Sequence, residues 1–168
     1  MTTWRIAPVG ASSAGLLAAL HAAAFAEAWT ASSLAGLMLT PGVFALLAAA
    51  PASGCGTAHP AGFILGRMAA DECEILTLAV LPERRRRGVA RVLLDAAIRQ
   101  AREAGAVAIF LEVQADNRAA RRLYESAGFE AVGIRRAYYS NKTTPPADAL
   151  VLRLKPLDKS GANVDLPT

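Results

Sequence analysis

One stretch of the sequence decides the fold: CEILTLAVLPERRRRGVARVLLDAAIRQAREA (73–104). It begins with 73–80, a near-continuous apolar run of strand length that is ended by Pro82. From Val89 onward apolar residues recur every three or four positions, and Gly105 follows, a pattern typical of an amphipathic helix and its stop. The stretch therefore predicts a buried strand, a basic loop and a helix.

The loop between them combines four arginines, 84–87, with Gly88. A glycine lets an anion approach the backbone closely, and the first-turn amides and dipole of a following helix favour negative charge. A run of arginines is equally typical of a solvated or nucleic-acid-facing patch, so both interpretations stay open. The spacings GxxxxGK[ST] and GxGxxG do not occur, which argues against a P-loop nucleotidase or a dinucleotide enzyme.

Three segments carry a resemblance to a known family. RRRGVA (85–90) is similar to the [QR]xxGx[GA] pyrophosphate loop of the GCN5-related N-acetyltransferases, the GNAT family, and LEVQADNRAARRLYESAGF (111–129) resembles the second half of that fold. RRAYYS (135–140) and the Trp29-Thr30 pair are most similar to the RimI-type N-terminal acetyltransferases of ribosomal proteins. The resemblance covers roughly 13–154.

This resemblance implies acetyl-CoA as cosubstrate and assigns residues to its binding. They are Leu78, Ala79, Val80, Arg86, Arg87, Gly88, Val89, Ala90, Arg91 and Asn117. The backbone N–H groups of 78–80, where the family's fourth strand bulges and splays from the fifth, would hold the thioester carbonyl. The chain departs from the family at Arg85, usually Gln, and at Ala90, usually Gly, both within the family's tolerance.

Two further residues are candidates for catalysis. Glu112 lies at the end of an apolar strand expected over 106–113, where partial desolvation would suit a general base, although a solvated strand-end charge has the same pattern. Tyr124 lies on the same helical stripe as Ala120, Leu123 and Ala127, so its ring is expected in the core and its hydroxyl must find a partner or a cleft. The resemblance implies that Glu112 is the general base and Tyr124 the general acid, acting on a ternary complex without a cysteine nucleophile.

The acceptor would bind elsewhere on the same domain. The resemblance implies Trp29, Tyr138 and Tyr139 as substrate-binding residues, together with the polar loop 140–146. Phe25 and Leu34 are further candidates for this lining. Packing of the two N-terminal helices explains their apolar character equally well.

Composition sets the broad class. With 168 residues, 54% hydrophobic and 19% charged, the chain is expected to form one globular domain over 1–155 and a disordered tail over 156–168. A net charge of +4 suits an anionic cosubstrate or acidic partner. An apolar run long enough to span a bilayer and a secretory signal are both missing from the sequence, so a cytoplasmic protein without a membrane partner is expected.

The cysteines indicate no metal or redox site. Cys55 and Cys73 lack the spacing of either, and both are expected to be reduced. Cys55 and His59 lie four positions apart in a Gly/Pro-rich loop over 51–60, but two candidate ligands do not make a zinc site. No metal is expected.

The alternation of strands and helices, with helices available for both faces, predicts a mixed α/β sheet. The resemblance implies the GNAT fold, an α/β fold with a single mixed, mostly antiparallel twisted sheet of about seven strands and helices on both faces. Strands are expected at 4–7, 43–49, 61–68, 73–80, 106–113, 129–139 and 149–154, and helices at 14–27, from 30 or 32 to 39, 89–104 and 118–127. Ser12 or Ser13 is expected to cap the first helix, Thr30 or Ser32 the second, and Asp116-Asn117 the last.

Three functional hypotheses follow. The first is acetylation of a protein N-terminus, most specifically an N-terminal alanine of a small-subunit ribosomal protein, by a monomer or weak dimer. The second is acetylation of a small-molecule amine or a lysine side chain. The third is a non-catalytic basic module that binds nucleic acid, whose affinity should fall steeply with salt, whereas CoA in a pocket should depend on it less.

Overall fold

The structure is a computed structural model that describes residues 3–51, 58–139 and 147–154, apart from the side chains of 137–139. Its strands are β1 Arg5–Val9, β2 Val43–Ala50, β3 His59–Ala69, β4 Glu72–Val80, β5 Ala108–Gln114, β6 Phe129–Tyr139 and β7 Ala147–Leu154. Its helices are α1 Ala14–Ala24, α2 Ala31–Met38, α3 Val89–Glu103 and α4 Arg118–Ser126. Short 3-10 turns cover Ala11–Ser13 and Pro82–Arg84.

The seven strands form one sheet in the order β1-β2-β3-β4-β5-β7-β6. β1 with β2, β2 with β3, β5 with β7 and β6 with β7 pair antiparallel, while β4 and β5 pair parallel. A parallel pair needs a long crossover, and α3 provides it. The predicted mixed, mostly antiparallel sheet is confirmed.

Local signals predicted the helix caps unevenly. Thr30 caps α2 as expected, since its Oγ1 accepts a hydrogen bond from the Ser33 amide at 3.1 Å. The expected side-chain cap of α1 is wrong, because Ser13 occupies the cap position without a side-chain hydrogen bond. The extension of α1 to Glu27 is also wrong: the helix ends at Ala24 and Phe25 is extended, with φ −129° and ψ 143°.

Strand ends were predicted less well than strand centres. β5 was expected over 106–113 with Glu112 at its end, but it covers Ala108–Gln114, because it pairs with β7 from Ile109 with Leu154 to Gln114 with Ala149. Glu112 is therefore an interior residue of the strand. β1 is likewise shifted from 4–7 to Arg5–Val9 by its antiparallel pairing with β2.

Some expectations lie outside the described residues. These are Cys55 with most of the 51–60 loop, the polar loop 140–146 and the tail 156–168.

Contacts between Cα atoms group the chain into two compact units. The first contains 1–67 and 76–100, and the second contains 68–75 and 101–168. The first unit has a core of buried apolar side chains: Ala14, Leu17, Leu20, Leu34, Ala45, Phe63, Leu65 and Ala79. The apolar helical period expected for the first helix is buried only in part: Leu17 and Leu20 belong to this core, whereas Leu16 is 39% and Phe25 is 40% exposed.

A histidine lies in the same unit among aromatic rings. His21 is 3% exposed, its ring centroid is 4.5 Å from that of Phe25, and it stacks on Trp29 at 5.1 Å. Its Nδ1 accepts a hydrogen bond from the Trp29 backbone amide at 3.2 Å, which requires an unprotonated Nδ1. Burial lowers the pKa of His21 below its ordinary value of 6.5.

The second unit is built on the alternation of β5. Ile109, Leu111 and Val113 are buried on one face of that strand, and β7 brings Leu154 and Leu152 opposite the first two. Among the described residues no helix is long and apolar enough to cross a membrane.

The buried histidine predicts a pH dependence of stability. Because its pKa is lower in the folded chain, the unfolded chain binds the extra proton as pH falls through about 6.5, so unfolding becomes more favourable on the acid side. We expect the thermal midpoint of the parent to fall between pH 7.5 and 5.5 more than that of His21→Gln, whose amide oxygen can still accept from Trp29.

The exposed His59 offers a matched control. His59→Gln should follow the parent's profile in the same thermal scans. Identical pH profiles for His21→Gln and the parent would contradict the role assigned to the buried ring.

Candidate active site

Two residues of the basic loop have left-handed backbone conformations. Arg86 has φ +60° and Gly88 has φ +80°, both in the left-handed region. The Val92 amide donates to Gly88 O at 3.1 Å, so the amides before Val92 belong to the first turn of α3, where helices lack internal acceptors. Such turns direct backbone N–H groups into a concave surface.

The backbone at Gly88 is open to close approach by an anion, as the sequence suggested. A Cβ built at this position has no heavy atom within 4 Å, so it would project into open space beside the loop. The side chains of Arg86 and Arg87 are exposed at the same place. The residues present therefore fit an anionic group of a ligand at this end of α3.

Long-range hydrogen bonds fasten the loop within the first unit. Arg85 donates from Nε to Val80 O at 3.4 Å and from Nη2 to Ala24 O at 3.3 Å. Trp4 donates from its indole Nε1 to Arg87 O at 2.9 Å. Sequence reasoning missed these contacts, because the partners of Arg85 and Trp4 lie up to 61 and 83 positions away and leave no local pattern.

The end of β4 is held close to β3. A Cβ on Gly62 would lie 2.4 Å from Ala79 O, and the Leu81 amide donates to Ala61 O at 2.9 Å. Only glycine permits this approach, so Gly62 positions the backbone of 78–80. In the sequence, the sign of this close approach is a glycine inside an apolar strand. The parallel pairing of β4 with β5 runs from Glu72 to Ile75.

Glu112 lies in the second unit with a partner that the sequence did not predict. Its side chain is 19% exposed, and its Oε1 is 3.0 Å from Arg135 Nε. β7 separates the two strands: Val151 pairs with Glu112 on one side and with Gly133 on the other. The sheet register therefore brings together two charges that lie far apart in sequence.

Tyr124 and Asn117 occupy α4 in the same unit. Asn117 caps the helix as predicted, with its Oδ1 accepting from the Ala120 amide at 3.1 Å. Tyr124 is 8% exposed and meets Phe129 edge to face at 5.9 Å between ring centroids. The expected core position of the ring is confirmed.

The acceptor candidates differ in exposure. Leu34 is fully buried and belongs to the core, whereas Phe25 is 40% exposed and Trp29 is partly buried on His21. An open groove of about 570 Å³ is lined by Trp29, Ser32, Ser33, Gly36, Leu37 and Thr40. The side chains of Tyr138 and Tyr139 lie outside the described residues.

The predicted site residues thus fall in both units. The first contains Trp29, 78–80 and the loop 85–91, and the second contains Glu112, Asn117 and Tyr124. In the parts of the chain that the structure describes, no cluster of His, Cys, Asp and Glu could hold a metal ion.

Comparisons with known proteins agree with this architecture. A [ribosomal protein bS18]-alanine N-acetyltransferase of Salmonella typhimurium is 39% identical over 94 residues, which are 56% of this chain and 63% of that protein. The match thus spans less than two thirds of the relative's length. The crystal structure of the ribosomal-protein-S18-alanine N-acetyltransferase from Escherichia coli superposes with a TM-score of 0.81 at 26% identity, covering 98% of this chain and 100% of that one.

A second solved structure shares the fold at lower identity. Arabidopsis thaliana NAA60 in complex with acetyl-CoA has a TM-score of 0.76 and 19% identity, over 90% of this chain and 97% of that one. The fold and the loop define an acetyltransferase-like α/β domain. Residues 20–129 match the model of the acetyltransferase (GNAT) family, and the chain belongs to that family.

The loop geometry predicts the effect of filling Gly88. In Gly88→Val the new side chain enters the space beside the loop, so the dissociation constant of CoA in calorimetry should rise at least about ten-fold. Arg86→Ala and Arg87→Ala should raise it only about two- to five-fold, because backbone amides supply most of the anion binding.

Gly105 provides the control for backbone strain. It has φ +91° and open space at its Cβ, so Gly105→Val imposes the same left-handed strain beyond the other end of α3. It should lose comparable thermal stability and keep the parent's CoA affinity. CoA binding by Gly88→Val as tight as in the parent would overturn the assignment of the loop.

Proposed function

We propose that the protein transfers the acetyl group of acetyl-CoA to the N-terminal α-amine of a protein in the cytoplasm, most specifically the N-terminal alanine of a small-subunit ribosomal protein. The observation that carries the proposal is the left-handed Gly88 turn at the N-terminus of α3, inside the segment that matches the family. The names of the bacterial relatives support the choice of acceptor.

The binding of acetyl-CoA is assigned to the first unit. The turn at 85–88 and the first-turn amides of α3 would hold the pyrophosphate, with Arg86 and Arg87 adding positive charge. Acetyl-CoA supplies an activated thioester. Backbone N–H groups of 78–80, held in place by the contact at Gly62, would stabilise the charge that develops on the carbonyl oxygen.

The proton transfers are assigned to the second unit. A protonated amine must lose a proton before it attacks, and Glu112 is proposed to accept that proton directly or through a water. A carboxylate accepts several hydrogen bonds, so the contact of Oε1 with Arg135 leaves capacity for this task. The Tyr124 hydroxyl is proposed to protonate the departing thiolate.

The acceptor class follows from the acidity of the amine. A peptide α-amine has a pKa near 8 and lysine one near 10.4, so a carboxylate removes the proton from the α-amine against a smaller barrier at neutral pH. Trp29 would line the slot for a small first side chain, and Tyr138 and Tyr139 would hold the first amide. Acetylation of a small-molecule amine or a lysine side chain is the rival within the same chemistry.

One surface favours the nucleic-acid alternative. Arg118, Arg121, Arg122 and Glu125 line an open hollow of about 310 Å³ on α4. Glu125 lies 3.6 Å from Arg121 and reduces the positive charge there. Three arginines against one glutamate still leave the hollow positively charged, so the salt dependence of binding must separate the two functions: affinity for nucleic acid should fall steeply with ionic strength.

The proposed base predicts a separation of binding from turnover. Glu112→Gln keeps shape and hydrogen-bonding reach but removes the proton acceptor, so turnover should fall by roughly two to four orders of magnitude while CoA affinity is kept. Glu125→Gln is the matched control, because it too removes a carboxylate paired with an arginine, and it should keep full activity. Unchanged turnover of Glu112→Gln at neutral pH would transfer the role to another group.

The proposed acceptor predicts a choice between two peptides. Mass spectrometry should detect rapid acetylation of a free Ala-initiated peptide and little or no acetylation of an N-terminally blocked peptide that contains lysine. Tyr138→Ala should lose peptide turnover and keep CoA binding. Equal rates on the two peptides would instead favour the side-chain acetyltransferase.

A further inference from the structure

We propose that Trp4 is a positioning residue that orients the Arg87–Gly88 peptide for binding a diphosphate. The inference deepens the proposed function and rests on it, since it assumes that the loop binds the pyrophosphate of CoA. Its basis is the 2.9 Å hydrogen bond from the Trp4 indole Nε1 to Arg87 O, between residues 83 positions apart. The N-terminal flank of β1 thereby contacts the loop directly.

Because the peptide unit is planar, the contact at Arg87 O also determines where the Gly88 N–H points. Arg87 C=O and Gly88 N–H belong to one peptide unit, and no peptide bond is cis in the described chain. In a trans unit the two groups point in opposite directions. Because the indole holds the carbonyl oxygen on its own side, the Gly88 N–H is directed away from Trp4.

The glycine makes such a restraint necessary. Gly88 has φ +80°, but glycine adopts positive and negative φ with similar ease. Rotation of the Arg87–Gly88 peptide would exchange the positions of its carbonyl oxygen and its N–H. An anion would then meet a partial negative charge, so the flexibility that admits the ligand also permits an orientation that repels it. The indole hydrogen bond favours the attractive orientation.

The rest of the loop is fixed by contacts with other residues of the chain. Arg86 has φ +60°, a conformation that costs a non-glycine residue free energy and persists only when its surroundings impose it. Arg85 fastens the start of the loop to Val80 O and Ala24 O, and Trp4 fastens its end. Arg86 lies between these two attachments, so the strained residue is fixed from both sides.

This role makes the contribution of Trp4 specific to one part of the ligand. Preorganisation of the amide strengthens binding of the diphosphate, whereas the pantetheine arm carries no phosphate and does not need it. Trp4→Phe retains an aromatic ring and removes the N–H donor. We expect the dissociation constant of CoA to rise about five-fold, the effect of one hydrogen bond of ordinary strength, and that of pantetheine to stay unchanged.

The experiment measures CoA by calorimetry and pantetheine by ligand-observed NMR, on the parent, Trp4→Phe and Thr3→Ala. Thr3 is an exposed neighbour of Trp4 whose replacement leaves the charge unchanged, and Thr3→Ala should match the parent with both ligands. Selective loss of CoA affinity in Trp4→Phe supports the inference. Equal losses for both ligands, or no loss for either, overturn it.

The parent alone separates this inference from the proposed function. If the parent binds CoA no more tightly than pantetheine, the loop does not hold a pyrophosphate and the proposed function fails with it. If the parent strongly prefers CoA and Trp4→Phe keeps that preference, only the role of Trp4 fails.

A measurement without a variant covers the case in which Trp4→Phe does not fold. The Trp4 indole proton of the parent should be protected from solvent exchange, and saturating CoA should increase its protection, because a hydrogen bond that strengthens CoA binding is in turn stabilised by bound CoA. An indole proton that exchanges as fast with CoA as without it would overturn the inference.

Discussion

The parallel pairing of β4 with β5 is the constraint on which the rest of the structure depends. Parallel neighbours cannot be joined by a tight turn, so the chain must leave β4 at Val80 and return through the long helix α3. That crossover places a helix N-terminus just after the end of β4 in the chain, where its unpaired amides and dipole favour an anion. The arginine-rich loop supplies the turn between them. Anion binding is therefore a consequence of the topology as much as of the arginines.

Single hydrogen bonds hold the irregular segments in place. Trp4 and Arg85 fasten the basic loop, and His21 fastens the connection between α1 and α2 by accepting from the Trp29 amide. Each such bond contributes only about 1 kcal/mol, but it acts on a segment with little regular structure of its own. Trp4, Arg85 and His21 have no role in the proposed proton transfers, but they determine the conformation of segments that are proposed to bind the substrates.

The proposed base, Glu112, is positioned by strand pairing rather than by a single hydrogen bond. Glu112 is set by the register of β5 on β7, and the pairing of β7 with β6 brings Arg135 within 3.0 Å of it. Both charges lie on strands, and the register of β6 on β7 shifts between Ala131 and Gly133 and again after Arg135, so strand pairing rather than a loop sets their separation. Arg135 is 59% exposed and Glu112 is 19% exposed, so the less exposed carboxylate has an arginine beside it.

The sequence by itself determined the elements and the type of the loop. The period of two or of three to four residues located the strands and helices, Thr30 and Asn117 marked caps, and Arg85–Ala90 carried the family motif, because these signals act between near neighbours in the chain. Only the tertiary structure decided where β5 ends, that Glu112 is interior to it, and that Arg135, Gly62, His21 and Trp4 support the candidate site. Strand register and hydrogen bonds between residues that are not near neighbours leave no periodic trace in the chain, so folding must bring the partners together before the contact exists.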